Sequence, residues 1–112
     1  MRSKHLAALA FAALALTACR SRSDEERADP SKLDDAASLA CDDFANSYKA
    51  AHTTDARVDL ANKVNEWAQS SKTKGIAEGA TILTRGSDGG ENAWQLATYT
   101  FAQSCLDAGW KA

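Results

Sequence analysis

The sequence has few of the residues that most often carry chemistry. It contains two histidines, three cysteines and one proline among 112 residues. His5 precedes a hydrophobic run at the N-terminus, so His52 is the one histidine in the rest of the chain, and we interpret it as a surface residue. A tetrahedral zinc site needs a fuller set of ligands than one histidine and two cysteines supply. We therefore expect no metal site and no cofactor.

No group of residues has the pattern of a catalytic centre. The sequence offers no nucleophile with a base and an orienting partner, so we expect no enzymatic activity. Two pairs of acids (Asp34 with Asp35, and Asp42 with Asp43) are spaced two helical turns apart, but they lack the alternating ligands and turn glycine of a calcium loop. We interpret them as a solvated helix face.

The basic residues are too few and too scattered for a nucleic-acid surface. The net charge is −2, and removal of residues 1–18 would lower it to −4, because Arg2 and Lys4 would be lost. Nucleic acid binding requires clustered lysine and arginine, whereas only Lys72 and Lys74 lie close together in the C-terminal part. We therefore expect no nucleic acid partner.

The N-terminus has the parts of a secretory signal. Positive charges precede an uninterrupted apolar run at residues 6–16, and small residues follow it. A helix of these eleven residues would be about 16 Å long, roughly half of a bilayer's hydrocarbon core. Residues 1–18 are therefore predicted to be an exported leader and not a spanning helix.

The four residues at the end of this leader are Leu16-Thr17-Ala18-Cys19. They resemble the lipobox of bacterial lipoproteins, in which an aliphatic residue and two small residues precede cysteine. The resemblance implies cleavage before Cys19 and a diacylglyceryl group on its thiol. Two acyl chains give stable membrane attachment without a spanning helix. An ordinary signal peptide, cut near the same place, is the alternative.

Residues 19–30 are predicted to be the lipidated cysteine and a disordered tether. The stretch RSRSDEERAD at residues 20–29 has no large apolar side chain and cannot form a core. Ten extended residues reach about 35 Å. Residues 31–112 would then form one small domain at the extracytoplasmic face of the cell membrane, or of the outer membrane if the host has two.

The remaining sequence favours an all-α fold, because it is rich in alanine and has one proline. Four segments with helical spacing predict a small antiparallel bundle of short helices, and a helical hairpin with loosely packed pieces is the alternative. The first helix is predicted to begin at Pro30 or Ser31, with Ser31-Lys32-Leu33-Asp34 as an alternative cap. The second helix is predicted to begin after Thr53-Thr54-Asp55, an N-cap cluster with an acid in the first turn. The predicted buried residues of these two helices are Leu33, Ala37, Ala40, Cys41, Phe44 and Tyr48, then Leu60, Ala61, Val64, Trp67 and Ala68.

The third helix is predicted from about Thr73 to Thr84, weakened by Gly75 and Gly79 and stopped at Gly86. The fourth is predicted to begin with a pair resembling a capping box, Asp88 and Glu91, and to stop at Gly109, so that Trp110 folds back. The predicted buried residues are Ile76, Ala80 and Leu83, then Trp94, Ala97, Thr98, Phe101 and Cys105.

Cys41 and Cys105 are left over once Cys19 is assigned to lipidation. An even number of cysteines in an exported domain indicates a disulfide, and both lie on predicted apolar faces. Buried free thiols are the alternative. A redox-active pair is disfavoured because the sequence has no CxxC motif.

The sequence leaves the biological role open. Tyr99 lies off the predicted buried face and Trp110 lies beyond the last helix, so each is a candidate anchor for a protein partner, with packing at the core edge as the alternative. We favour a lipid-anchored interaction module of the cell envelope. A structural envelope lipoprotein without a dedicated ligand and a phage- or plasmid-encoded exclusion lipoprotein are the other hypotheses, the latter on resemblance in size and design.

Overall fold

The computed structural model describes residues 29–112. The predicted leader, Cys19 and the tether up to residue 28 lie outside the described residues. The described part contains four α-helices, one short 3-10 helix and no strand, which confirms the predicted all-α bundle. The elements are α1 (Asp35–Ser47), the 3-10 helix η1 (Tyr48–Ala50), α2 (Thr54–Ala68), α3 (Ile76–Gly86) and α4 (Glu91–Asp107).

Each helix packs on the next one along the chain, and one hydrophobic core lies between them. Phe101 of α4 is fully buried and meets Phe44 of α1 edge-on, with 5.0 Å between ring centroids. Burial of each such side chain stabilises the fold by roughly 1.5–3 kcal/mol. The predicted buried faces are largely confirmed, although Leu33, Tyr48 and Thr98 are only partly buried.

Helix α1 begins at Asp35, so the predicted start at Pro30 or Ser31 is wrong. Asp34 is the N-cap, and its carboxylate accepts a hydrogen bond from the Ala37 backbone N–H at 2.8 Å. Asp34 outcompetes the earlier positions because its carboxylate also binds the loop between α2 and α3, which holds the preceding residues in a non-helical conformation.

The Asp34 carboxylate joins the start of α1 to that loop. One oxygen accepts from the Ser71 hydroxyl at 2.8 Å, and the other accepts from the Lys72 backbone N–H at 2.7 Å. Partial burial acts to raise the pKa of Asp34, but hydrogen bonds from Ala37, Lys72 and Ser71 favour the anion, and the net pKa is lowered. Three of the four acids that were predicted to be solvated therefore accept hydrogen bonds from other segments: Asp34 from this loop, Asp43 from Trp67 at 3.1 Å, and Asp42 from Trp110 at 2.8 Å.

The α2–α3 loop also explains why α3 begins later than predicted. The Thr73 hydroxyl accepts from the Asp34 backbone N–H at 3.1 Å and donates to the Lys32 carbonyl at 2.7 Å. Thr73 is buried in this loop, and α3 starts at Ile76. The Lys74 N–H donates to the Pro30 carbonyl at 2.8 Å, so the chain before α1 is fastened along the loop.

Helix α2 begins within the predicted cap cluster: Thr53 is its N-cap and accepts from the Ala56 N–H at 3.1 Å, and Asp55 lies in its first turn. The prediction that Trp67 is buried is wrong, because this side chain is 40% exposed. Trp67 lies at the edge of the apolar face of α2, where its indole N–H reaches Asp43 of α1. Its ring therefore covers the junction of two helices instead of filling the core.

The glycines of α3 let α4 approach closely. A Cβ atom at Gly86 would lie 2.5 Å from the Ala97 Cβ and 2.8 Å from the Ala93 carbonyl oxygen. Gly86 is the last residue of α3, close to the predicted stop, whereas Gly79 lies well inside the helix, buried against α4. Gly79, which was predicted to weaken α3, therefore allows α3 to pack closely against α4.

The two ends of α4 differ in how well they were predicted. No side chain caps its start: Gly90, with φ of 94°, is the N-cap, so the predicted pair of Asp88 and Glu91 is wrong. Its other end stops as predicted, with Gly109 at φ of 99°. The Trp110 N–H donates to the Cys105 carbonyl at 2.9 Å, which closes the helix and turns Trp110 back onto the core.

A disulfide joins Cys41 of α1 to Cys105 of α4, as predicted. The two Cα atoms are 6.0 Å apart, and 64 positions separate the residues in sequence. In the chain-entropy account, a cross-link over so long a loop contributes about 4 kcal/mol to stability. The disulfide lies where α1 and α4 meet, and these two helices otherwise touch at few positions.

Candidate functional site

The outward face of α4 has no charge along almost its whole length. Glu91 and Asp107 are the first and last residues of this 17-residue helix, and residues 92–106 contain no acid, lysine, arginine or histidine. A surface helix ordinarily places charged and polar residues opposite its buried face. In α4, between its two ends, the exposed polar residues Asn92, Gln95 and Gln103 are uncharged and share the outer surface with apolar side chains.

Apolar side chains lie along this uncharged face. Leu96 is 67% exposed, Tyr99 66% and Leu106 53%, which makes them the most exposed large apolar residues in the described part of the chain. With Gln103 they fall at the i, i+3, i+7 and i+10 positions of one helix and therefore share a face. We name Leu96, Tyr99, Gln103 and Leu106 the α4 stripe.

A groove of about 360 Å³ lies between α1 and α4, next to the C-terminal residues. We name it the α1–α4 groove. The disulfide and the buried Phe44 ring are among its lining groups, and Ala45 and Ala102 are small residues on its two helices. Tyr48 stacks on Phe44 with 4.6 Å between ring centroids. The groove is therefore apolar for most of its length.

A third feature lies at the end of the bundle where α4 begins. The Arg57 guanidinium donates to the Ala51 carbonyl at 2.9 Å and to the Glu91 carboxylate at 2.7 Å, and it lies over the Trp94 ring. The hydrogen bond from Arg57 is the largest cause that lowers the pKa of Glu91, and a hydrogen bond from Gln95 adds to it. Because both charges are paired, this site resembles a structural joint between α2 and α4.

The structure places the two predicted partner-binding residues in different surroundings. Tyr99 is exposed, as its position off the buried face predicted, and it lies within the α4 stripe. Trp110 is half-buried in the wall of the α1–α4 groove, and its indole N–H donates to Asp42 at 2.8 Å. Trp110 therefore packs at the core edge, which was the alternative interpretation.

Leu96 and Leu106 were not predicted as site residues from the sequence. The signal that could have identified them is the absence of charge across residues 92–106, combined with their spacing relative to Tyr99. The α1–α4 groove could not have been read from spacing, since it depends on how far α1 and α4 stand apart. Asp42, predicted to be solvated, is also a hydrogen-bond acceptor for Trp110.

Within residues 29–112, no three histidine, cysteine, aspartate or glutamate side chains come together as metal ligands would. The helices of this part are also too short or too polar for any of them to cross a membrane. His52 is exposed beyond η1. Comparison of the chain with known protein families, with curated proteins and with solved structures finds no match.

Proposed function

We propose that this chain is a lipid-anchored envelope protein whose helical domain binds another protein through the α4 stripe. The observation that carries the proposal is the uncharged outer face of α4 with its three exposed apolar side chains. Exposed apolar residues that cluster on one surface are typical of interaction sites, whereas single ones are ordinary. Tyrosine at the centre of such a surface is a frequent binding anchor.

The proposed anchor is Cys19, at the end of the predicted leader. The described chain starts at Asp29, whose carboxylate accepts from the Ser31 N–H at 3.0 Å, and continues along the α2–α3 loop. A tether of about ten residues would reach at most some 35 Å from Cys19. The domain would therefore meet partners within a thin layer beside the membrane, where even a modest interface area gives useful occupancy.

Site-specific photo-crosslinking in intact cells tests the proposed stripe. A photoreactive residue is placed at Tyr99, and a matched one at Asp59, which is exposed on the outer face of α2. We expect a discrete crosslinked product from position 99 and none from position 59. The product should disappear when Leu96→Glu places a charge within the stripe. Equal products from both positions, or none from position 99, would contradict the proposed interaction.

Labelled palmitate tests the anchor separately. We expect the label in the native chain and not in Cys19→Ser, and we expect Cys19→Ser to leave the membrane fraction. If position 99 crosslinks in both forms, the stripe binds without the anchor and only the lipid part of the proposal fails. A native chain that takes up no label would exclude the lipoprotein assignment.

A further inference from the structure

The α1–α4 groove borders the stripe, because Leu106 belongs to both, but its other lining residues lie outside the stripe. Around a four-helix bundle, the first and last helices commonly pack along their length. Here α1 and α4 come together mainly around the disulfide, and alanines at positions 45 and 102 leave the space beside it open. The resulting groove of about 360 Å³ falls within the range of small-molecule sites.

The lining of the groove suits an alkyl chain better than a peptide. Its side chains are mainly apolar, and the indole N–H of Trp110 is already bonded to Asp42. A peptide would bring backbone N–H and C=O groups that need partners, and the lining side chains offer few. An alkyl chain has no polar group to satisfy and gains about 0.8 kcal/mol for each methylene removed from water.

One end of the groove carries a cation. Lys49 lines it beside Tyr48, with the ammonium nitrogen 5.9 Å from the ring centroid. Among residues 29–112, the one ion pair joins Arg57 to Glu91, so the charge of Lys49 has no acidic partner there. Lys49 follows α1, whereas Cys41 lies two turns earlier, so the groove is apolar along α1 and basic at its far end.

We propose that the α1–α4 groove binds a fatty acid, with its alkyl chain beside the Cys41–Cys105 disulfide and its carboxylate next to Lys49. The inference does not depend on the α4 stripe or on a protein partner. It assigns to the domain a ligand class that suits a protein working near lipids. Only non-covalent binding is involved, and no bond is made or broken.

Calorimetric titration with dodecanoate, below the concentration at which it forms micelles, tests the site. The full chain carries Cys19→Ser, so that no acyl chain of its own can compete. We expect one dodecanoate per chain and weaker binding of uncharged dodecanol. Lys49→Gln should weaken dodecanoate binding about two- to fivefold, the size expected for one solvent-exposed ion pair. Lys63→Gln, on the outer face of α2, should not change it.

Filling the groove gives the sharper test. Ala102→Trp should abolish dodecanoate binding, whereas Asn62→Trp, at an exposed position of α2 away from the groove, should leave it unchanged. Ala45→Leu on the opposite wall is the second filling variant if Ala102→Trp fails to fold by circular dichroism. Unaltered binding in the filled variants, equal affinity for dodecanol, or no binding to the parent chain would overturn the proposal. So would a groove occupied by a second copy, seen as a dimer that Ala102→Trp dissociates.

Discussion

The α2 side and the α4 side of this bundle bury similar faces but present different surfaces to solvent. Inside, α2 contributes Leu60 and Val64, and α4 contributes Trp94 and Phe101, all of them buried. Outside, the two helices diverge. The exposed residues of α2 are polar or charged except for Trp67 beside α1: Thr54, Asp55, Asp59, Asn62, Lys63, Glu66 and Trp67. By contrast, α4 exposes the apolar residues of its stripe and no charge between its ends.

The two sides are also held differently. On the α2 side, hydrogen bonds from Ser71 and Lys72 to Asp34 fasten the loop to the start of α1. On the α4 side, a disulfide attaches α4 to α1, and the close approach at Gly86 packs α4 against α3. Leu96, Tyr99 and Leu106 are exposed and do not belong to the buried core. The comparison therefore predicts that α4 is held by its inner contacts, and that changes to its apolar outer face leave the fold intact.

Removal of the disulfide should have the largest effect on stability, because it takes away the covalent attachment on the α4 side. The double variant Cys41→Ala/Cys105→Ala should lose about 4 kcal/mol of unfolding free energy, because the unfolded chain regains the entropy of a long closed loop. For a domain of this size that is a fall in Tm of roughly 15–30 °C. Thermal unfolding followed by circular dichroism measures it.

A reducing agent provides the control for that experiment. It should lower the Tm of the parent chain toward that of the double variant and leave the double variant unchanged. A loss below about 1 kcal/mol would mean that the α4 side is held by packing alone, well under the usual contribution of a native disulfide. The two sides would then differ in their exposed residues but not in how strongly they are attached to the rest of the bundle.

The next largest effect should come from the close approach of α3 and α4. Gly86→Ala is expected to cost about 1–3 kcal/mol, because the new methyl group would collide with the Ala93 carbonyl and the Ala97 side chain. Gly79→Ala is the matched comparison. There the nearest atom is the Ser104 hydroxyl oxygen at 2.9 Å, and the carbon atoms of Phe101 and Ser104 lie at 3.2 Å and 3.3 Å, so the contacts are less severe than at Gly86. Alanine is also favoured over glycine in a helix by about 1 kcal/mol. Urea unfolding should therefore show Gly86→Ala as clearly the less stable variant.

Most of the bundle was predictable because helical periodicity depends on local sequence. The buried positions Ala37, Phe44 and Val64 follow from spacing alone. The start of α1 was not predictable, since Asp34 is selected as its cap by Ser71, which lies 37 positions away in sequence. The exposure of Trp67 likewise depends on Asp43 in another helix. The predictions are therefore wrong where the end of a helix or the exposure of a side chain depends on a residue far away in the sequence.

Of the two candidate surfaces, the α4 stripe was predictable from local sequence and the α1–α4 groove was not. Tyr99 was identified from its place off the buried face, and Leu96 and Leu106 could have been found from the uncharged run that contains them. The α1–α4 groove requires the packed arrangement of two helices that are far apart in sequence. No spacing rule reports that Ala45 and Ala102 lie on opposite sides of one opening.

The polar junction on the α2 side should show a smaller, pH-dependent effect. Asp34→Ala should cost about 1–2 kcal/mol at neutral pH, because α1 loses its cap and Ser71 and Lys72 lose their acceptor. The folded state lowers the pKa of Asp34. As the pH falls below about 4, the unfolded chain therefore takes up the proton first and the stabilisation is lost.

Urea unfolding at a series of pH values measures this dependence. The difference in stability between the parent chain and Asp34→Ala should be largest near neutral pH and should shrink below about pH 4. Asp35→Ala, at the exposed neighbouring position, is the control and should keep the slope of the parent. A difference that is constant with pH would show that the charge of Asp34 is not what fastens the loop.

The smallest effect on stability should come from the α4 stripe itself. Tyr99→Ser and Leu96→Gln should each change the unfolding free energy by no more than about 0.5 kcal/mol, as for ordinary surface positions. Asp59→Ser on the outer face of α2 is the matched substitution and should be equally neutral. Only the stripe variants should reduce the crosslinked product at neighbouring positions of α4. If Tyr99→Ser destabilised the domain by several kilocalories per mole, the stripe would belong to the fold, and the difference between the two outer faces would say nothing about binding.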